Sequence, residues 1–140
     1  VPINDAGRLA IANQIRSLIN GGSGWRVIPY TAGPSFDPAE TDPSVYTTLT
    51  GAWVEGDYQR LTLDTAAGDY LHMLLAAAAA LSWTASMSGT WPETVVGVII
   101  TSGDGATLVA VQPFGTPIVI PTIGSVLNTS VSYTEGELLP

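Results

Sequence analysis

Residues 93–112 read ETVVGVIITSGDGATLVAVQ: two apolar runs joined by Ser102-Gly103-Asp104-Gly105. A glycine-rich tetrad between β-branched runs is a hairpin signal, because hairpin turns need backbone angles that glycine adopts without strain. In the first run Val96, Val98 and Ile100 fall on one face, and Val95, Gly97 and Ile99 on the other. Side chains alternate along a strand, so both faces of this one are apolar and it belongs in the middle of a sheet. A chain with a central antiparallel hairpin must supply further strands to cover it.

The rest of the chain supplies them in short pieces. "WRVIPYT" is a strand candidate, and Pro29, which has no N–H for a ladder, points to a sheet edge. Residues 32–43, "AGPSFDPAETDP", are a loop with three prolines, and "SVYTTLTGAWV" after them is rich in β-branched and aromatic residues. "YQRLTLDT" alternates, with Leu61 and Leu63 facing one way and Arg60, Thr62 and Asp64 the other. "PIVIP" is a short strand bracketed by prolines. "SVLNTSVSYT" sets Leu127, Val131 and Tyr133 against Asn128, Ser130 and Ser132. Eight or nine short strands with turns between them indicate an antiparallel β-sandwich or barrel. At 140 residues one domain is expected, large enough to bury roughly 70% of the unfolded surface.

One segment breaks the pattern. "NDAGRLAIANQIRSLINGG" reads as a helix, capped by Asn4 or Asp5 and stopped by Gly21 and Gly22. Ile11, Ala12, Ile15, Leu18 and Ile19 repeat with helical spacing and form an apolar stripe. The "NGGSG" that follows sets the helix apart, giving an N-terminal arm at 1–22 and a β-domain at 23–140. The stripe either packs on its own domain or docks on a neighbouring subunit. In the second case Ile11, Ile15, Leu18 and Ile19 are the partner-interface residues.

The most apolar stretch is "LHMLLAAAAALSW". No charge occurs from Tyr70 through Pro92, long enough to span a bilayer, but its second half is rich in hydroxyls and ends in proline. It also lacks a basic flank on its C-terminal side, so a membrane anchor is set aside. A helix there would be apolar all round inside a β-rich domain. Alternation favours a strand over 78–87, with Leu81, Trp83, Ala85 and Met87 inward and Ser82, Thr84 and Ser86 outward. Residues 70–77 stay open between strand and helix, and Trp83 is expected in the core.

Charge narrows the function. The net charge is −8, and the four basic residues, all arginine, end at Arg60. Nucleic acid requires a basic patch, and an anionic membrane repels such a chain, so neither is an expected partner. Only 11% of the residues are charged, while threonine occurs 16 times. So neutral a surface is explained if much of it faces another protein; the alternative is a Ser/Thr-rich β surface kept soluble by its acidic balance. There is no cysteine, which removes disulfides and thiolate sites. The opening "VPINDAGRLA" lacks the pattern of a signal peptide and reads as a cytosolic start.

Chemistry-bearing residues are sparse. A lone His72 in an apolar run, with no G-x-S-x-G elbow, points to a buried structural histidine. Asp37, Glu40 and Asp42 share one loop, but their spacing is not that of an EF-hand. "SGDG" is followed by neither "GK[ST]" nor a helix, so it is a turn and not a phosphate loop. No catalytic residue, cofactor or metal is assigned, and no enzymatic activity is expected.

The C-terminal half, "GTWPETVVGVIITSGDGATLVAVQPFGTPIVIPTIGSVLNTSVSYT", resembles small virion proteins of tailed bacteriophages. The matching positions are Thr94-Val95-Val96-Gly97-Val98, Gly103-Asp104-Gly105, 108–114, Pro117-Ile118, Gly124 and 127–133, within roughly residues 75–135. Upstream, "YTTLTGAW" is weakly similar, with Gly51-Ala52-Trp53 where that family usually has Gly-Tyr. The resemblance implies a jelly-roll-like antiparallel β-sandwich of about eight strands with one N-terminal helix. It further implies a capsid decoration or cement protein on the outer head surface, made in the host cytoplasm. The implied partners are the major capsid protein or other virion proteins, and copies of the chain itself in a homo-oligomer, with a trimer favoured. A tail or head-fibre component is the alternative within that family. A carbohydrate-binding host-recognition module, with Trp25, Trp53 or Trp91 stacking on sugars, is the alternative outside it; the three exposed on one face would support it, and buried tryptophans would support a scaffold.

Overall fold

The computed structural model of the chain describes residue 2, residues 4–63 and residues 74–134, excepting the side chains at 74–76 and 133–134. The fold is mainly β, with one N-terminal helix, α1 (Asp5–Asn20). Among the described residues nine strands follow: β1 (Trp25–Ala32), β2 (Thr47–Thr48), β3 (Gln59–Leu61), β4 (Leu74–Ala76), β5 (Leu81–Thr84), β6 (Glu93–Ser102), β7 (Leu108–Ile120), β8 (Val126–Thr129) and β9 (Ser132–Thr134). All registered pairings are antiparallel, and the strands form sandwich-type sheets in which no described sheet closes into a barrel.

Two compact units emerge. One comprises Trp25–Arg60 and Leu81–Thr129; the other Val1–Gly24, Leu61–Ala80 and Ser130–Pro140. The arm expected at 1–22 therefore shares a unit with later chain. The Asn20 side chain exchanges both of its amide groups with the backbone of Leu63, at 3.0 and 2.7 Å.

The larger unit is organised by β6, which lies between β1 and β7 in the order β2-β1-β6-β7, with β3 also on β1. Its central position follows from its two apolar faces: Val95, Val98, Ile99 and Ile100 are all buried. Gly97 is needed for a close approach. A Cβ there would sit 2.6 Å from the Gln112 carbonyl oxygen and 2.7 Å from the Tyr30 ring. Tyr30 meets Tyr46 edge to face at 5.0 Å, over a cluster with Ile99 and Leu108. A separate pair, β5–β8, places Trp83 opposite Leu127, both with no exposed surface.

Three expectations change. Pro29 does not mark an edge: β1 pairs β6 from Trp25 to Tyr30, and Pro29 is fully buried opposite Val98. Among the described residues the other side of β1 meets only the short β2 and β3, and a proline is tolerated where a ladder is discontinuous. "PIVIP" is not a separate strand but the second half of β7. Pairing runs Gly97 with Pro113 and Val95 with Ile118, so residues 114–117 bulge out opposite Val96 alone. "SVYTTLTGAWV" forms a single turn of 3-10 helix (Pro43–Val45), the two-residue β2 and an isolated bridge at Trp53.

The alanine run divides. Ala76 ends β4, Ala77 bridges Leu63, and Ala78, Ala79 and Ala80 are exposed and outside any strand before β5 begins. The strand expected over 78–87 is thus four residues long, extended by a bridge at Ala85. Methyl side chains bring little area to bury; Ala78 N still donates to Thr62 O at 2.7 Å, but residues 78–80 stay exposed, and the boundary between the two units follows Ala80. Residues 70–73, including His72, lie outside the described residues.

In the smaller unit β4 pairs β9, and Leu61, Leu63 and Val131 are buried, as the alternation required. The helix is capped as expected, with Gly7 N donating to Asn4 Oδ1 at 2.9 Å. Its buried line, however, is Ala12, Arg16 and Ile19. The amide clasp of Asn20 on Leu63 fixes that rotation.

Candidate functional site

Three segments of the larger unit lie side by side at the end of β5. Ala85 forms an antiparallel bridge with Trp53; Val54 N donates to Thr84 O at 2.9 Å and Ser86 N to Ala52 O at 2.9 Å. On the opposite side Ala85 N donates to Ser125 O at 2.8 Å, Gly124 N donates to Ala85 O at 2.8 Å, and Val126 pairs with Thr84. Residues directly opposite across strands project to the same face. Trp53 and Ala85 are therefore turned inward and buried, while Val54 and Val126 flank Thr84 on the outer face and are exposed.

Two turns extend this outer surface. Gly89 N donates to Ser86 O, closing a turn that carries Met87, 82% exposed. Ser125 N donates to Thr122 O, closing a second turn with Gly124 at φ 84° and Ile123 exposed at its tip. Between them lies a cleft of about 320 Å³ lined by Gly89, Trp91, Pro121, Thr122 and Ile123. The Trp91 indole N–H donates to Ser86 O at 2.9 Å, and its ring tilts against Trp53 at 5.3 Å. Gly89 makes room for that ring, since a Cβ there would lie 2.5 Å from it.

The surface is apolar, with an acidic margin. Glu55 accepts from Thr84 N at 2.6 Å and from Thr84 Oγ1 at 2.7 Å. Desolvation raises its pKa, but the two bonds outweigh that and hold it below the ordinary glutamate value. A depressed folded value means the stabilisation is full at neutral pH and is lost as pH falls through the carboxylate range to the folded value. Glu55→Gln should accordingly lower the melting temperature at pH 7 and converge with the parent in acid. A gap that persists at low pH would show that the carboxylate charge is not the cause. No arginine or lysine lies in the segments 52–57, 84–93 or 121–126.

The residues singled out in the sequence fall elsewhere. Of the helix stripe, Ile11 and Leu18 are exposed, Ile15 is half-buried and Ile19 is buried. Asp37 Oδ1 accepts from Ala39 N, Glu40 Oε1 from Asp42 N, and Asp42 Oδ1 from Ser44 N, so each carboxylate closes its own turn. Among the described residues no three His, Cys, Asp or Glu side chains gather into a metal-holding group. No described helix is long and apolar enough to cross a membrane. Trp53 is buried and Trp25 and Trp91 are half-buried, so the three are not exposed together as a platform for sugar stacking. A second cleft, of about 320 Å³, is lined by Tyr30, Phe36 and Pro113; the pKa of Tyr30 is raised by burial and then by Tyr46.

Sequence alternation placed Met87 inward, and the structure places it at a turn tip. The signal for that was Ser86-Met87-Ser88-Gly89 itself, a turn composition in which Ser86 Oγ accepts from Ser88 N. Comparison with known proteins gives no matching family model, no matching curated protein and no matching solved structure.

Proposed function

We propose that this chain is a non-enzymatic structural protein of a tailed-phage virion, a decoration or cement protein on the head, attached through the apolar end formed by Val54, Met87, Trp91, Ile123 and Val126. The observation that carries the reading is that surface: large apolar side chains held out on two hydrogen-bonded turns, in segments without a basic residue. Side chains so exposed gain by burial against a partner, at roughly 1.5–3 kcal/mol each when fully covered. The β pattern over roughly residues 75–135 supports the same reading through its resemblance to small phage virion proteins. Copies of the chain assemble on the shell as a homo-oligomer, for which a trimer is the first expectation.

The test is immuno-electron microscopy of particles produced by the genome that encodes the chain. Label over the heads supports a decoration protein. Label confined to tails or fibres moves the protein to the tail, and particles that carry none of it overturn the reading.

A further inference from the structure

Asn20 is the last residue of α1 and is followed by Gly21. Of the four asparagines, Asn4, Asn13, Asn20 and Asn128, it alone precedes a glycine. That pairing carries its own chemistry. The backbone nitrogen that follows an asparagine can attack the side-chain carbonyl carbon and close a five-membered imide. A following glycine has no Cβ, which leaves that nitrogen open to approach. Gly21 is exposed, so hydroxide and water reach the backbone there.

In the docked helix both reacting groups are engaged. The Asn20 side chain donates from Nδ2 to Leu63 O at 3.0 Å and accepts at Oδ1 from Leu63 N at 2.7 Å. The Gly21 N–H donates to Ser17 O at 3.0 Å, as the cap of the helix. The nucleophile therefore keeps its proton, and the electrophilic carbon is held by two bonds to a residue 43 positions away in sequence. Ile19 beside the clasp and Leu63 within it are both buried, so apolar packing holds the contact closed.

We propose that Asn20-Gly21 is a self-modification site gated by the docking of α1: Asn20 deamidates when its clasp on Leu63 opens, and the product cannot re-form both bonds. Once released, Gly21 N gives its proton to hydroxide and attacks Asn20 Cγ. The new bond to Cγ replaces the bond to the amide nitrogen, which takes a proton from water and leaves as ammonia. Water then opens the imide at either carbonyl. Opening at Cγ gives aspartate; opening at the main-chain carbonyl gives isoaspartate, in which the backbone runs through the former side chain. Nothing is oxidised or reduced. Both products lack the N–H that meets Leu63 O and carry a carboxylate in its place. They also set a negative charge at the helix C-terminus, where the helix dipole disfavours it. Docking is thereby lost in one direction only.

The experiment incubates the full chain in mildly alkaline buffer, in parallel without denaturant and in enough urea to unfold it, and follows each asparagine by peptide mass spectrometry. The mass gained when NH₂ becomes OH marks deamidation, and chromatography separates the aspartate and isoaspartate peptides. The expected result is conversion at Asn20 in urea ahead of Asn4, Asn13 and Asn128. In native buffer the Asn20 rate should fall by about tenfold or more, the factor that one held hydrogen bond carries. This comparison uses the parent chain and depends on no variant folding. Asn20→Asp reproduces one product, and hydrogen exchange at the Leu63 N–H should quicken in it by about tenfold. Three results would each overturn the proposal: Asn20 converting as fast in native buffer as in urea, no lead of Asn20 over the other asparagines in urea, or a Leu63 N–H as protected in Asn20→Asp as in the parent.

Discussion

Trp83→Ala should lower the unfolding free energy by about 3–5 kcal/mol, the range for deleting a large aromatic from a core. Trp83 has no exposed surface and stands opposite Leu127, which has none either. Both neighbouring strands are short, so little else can close over the space: β5 and β8 have four residues each. Domains of this size are stable by only about 5–15 kcal/mol, so the loss is a large fraction of the total. Trp83→Phe makes the argument sharper. The indole N–H of Trp83 is buried and has no acceptor, so part of the burial gain is already offset. Phenylalanine keeps most of the packing and removes that orphan donor, and should cost well under half as much. Urea denaturation of both variants checks this. An alanine variant within about 1 kcal/mol of the parent would mean that Trp83 does not hold the β5–β8 pair.

The other large effect is on attachment. Met87→Asp and Ile123→Asp each put a charge at an exposed turn tip. Surface changes of this kind leave stability within about 0.5 kcal/mol. At the centre of an interface the same changes bury an unpaired carboxylate, and central contacts of this kind are worth about 2 kcal/mol or more, some thirtyfold in affinity. Either variant should therefore keep its melting temperature and lose co-sedimentation with particles that lack the protein. Leu18→Asp, on the exposed side of the helix, separates this surface from the one first considered for docking. If Leu18→Asp detaches the chain and Met87→Asp does not, attachment belongs to the helix.

The elements legible in the sequence were those whose signal is local or strictly periodic. The hairpin β6–β7 was written in its glycine turn, its central place in the apolar character of both faces, and the start of α1 in Asn4. Leu61, Leu63, Leu127 and Val131 alternated as they are buried. What failed depended on distant chain. Pro29 is tolerated inside β1 because β2 and β3 cover only part of its other side, which nothing in "WRVIPYT" reveals. The helix stripe was identified by hydrophobicity alone. The rotation that buries Arg16 and leaves Leu18 73% exposed is set by a hydrogen-bond pair 43 residues away in sequence. The apolar end of the larger unit was hidden for a related reason. Val54, Met87, Ile123 and Val126 come from three separated segments that the backbone bonds around Ala85 bring side by side.

A cryo-electron-microscopy reconstruction of the particle produced by the encoding genome tests the central claim most directly. The account predicts density for the chain on the outer face of the head, with the turns at 86–89 and 122–125 and the segment 52–57 pressed against the shell, and Met87 and Ile123 covered. A chain seated on the head with those turns facing solvent would contradict the proposed attachment. A particle whose head and tail both lack the chain would contradict the structural role itself.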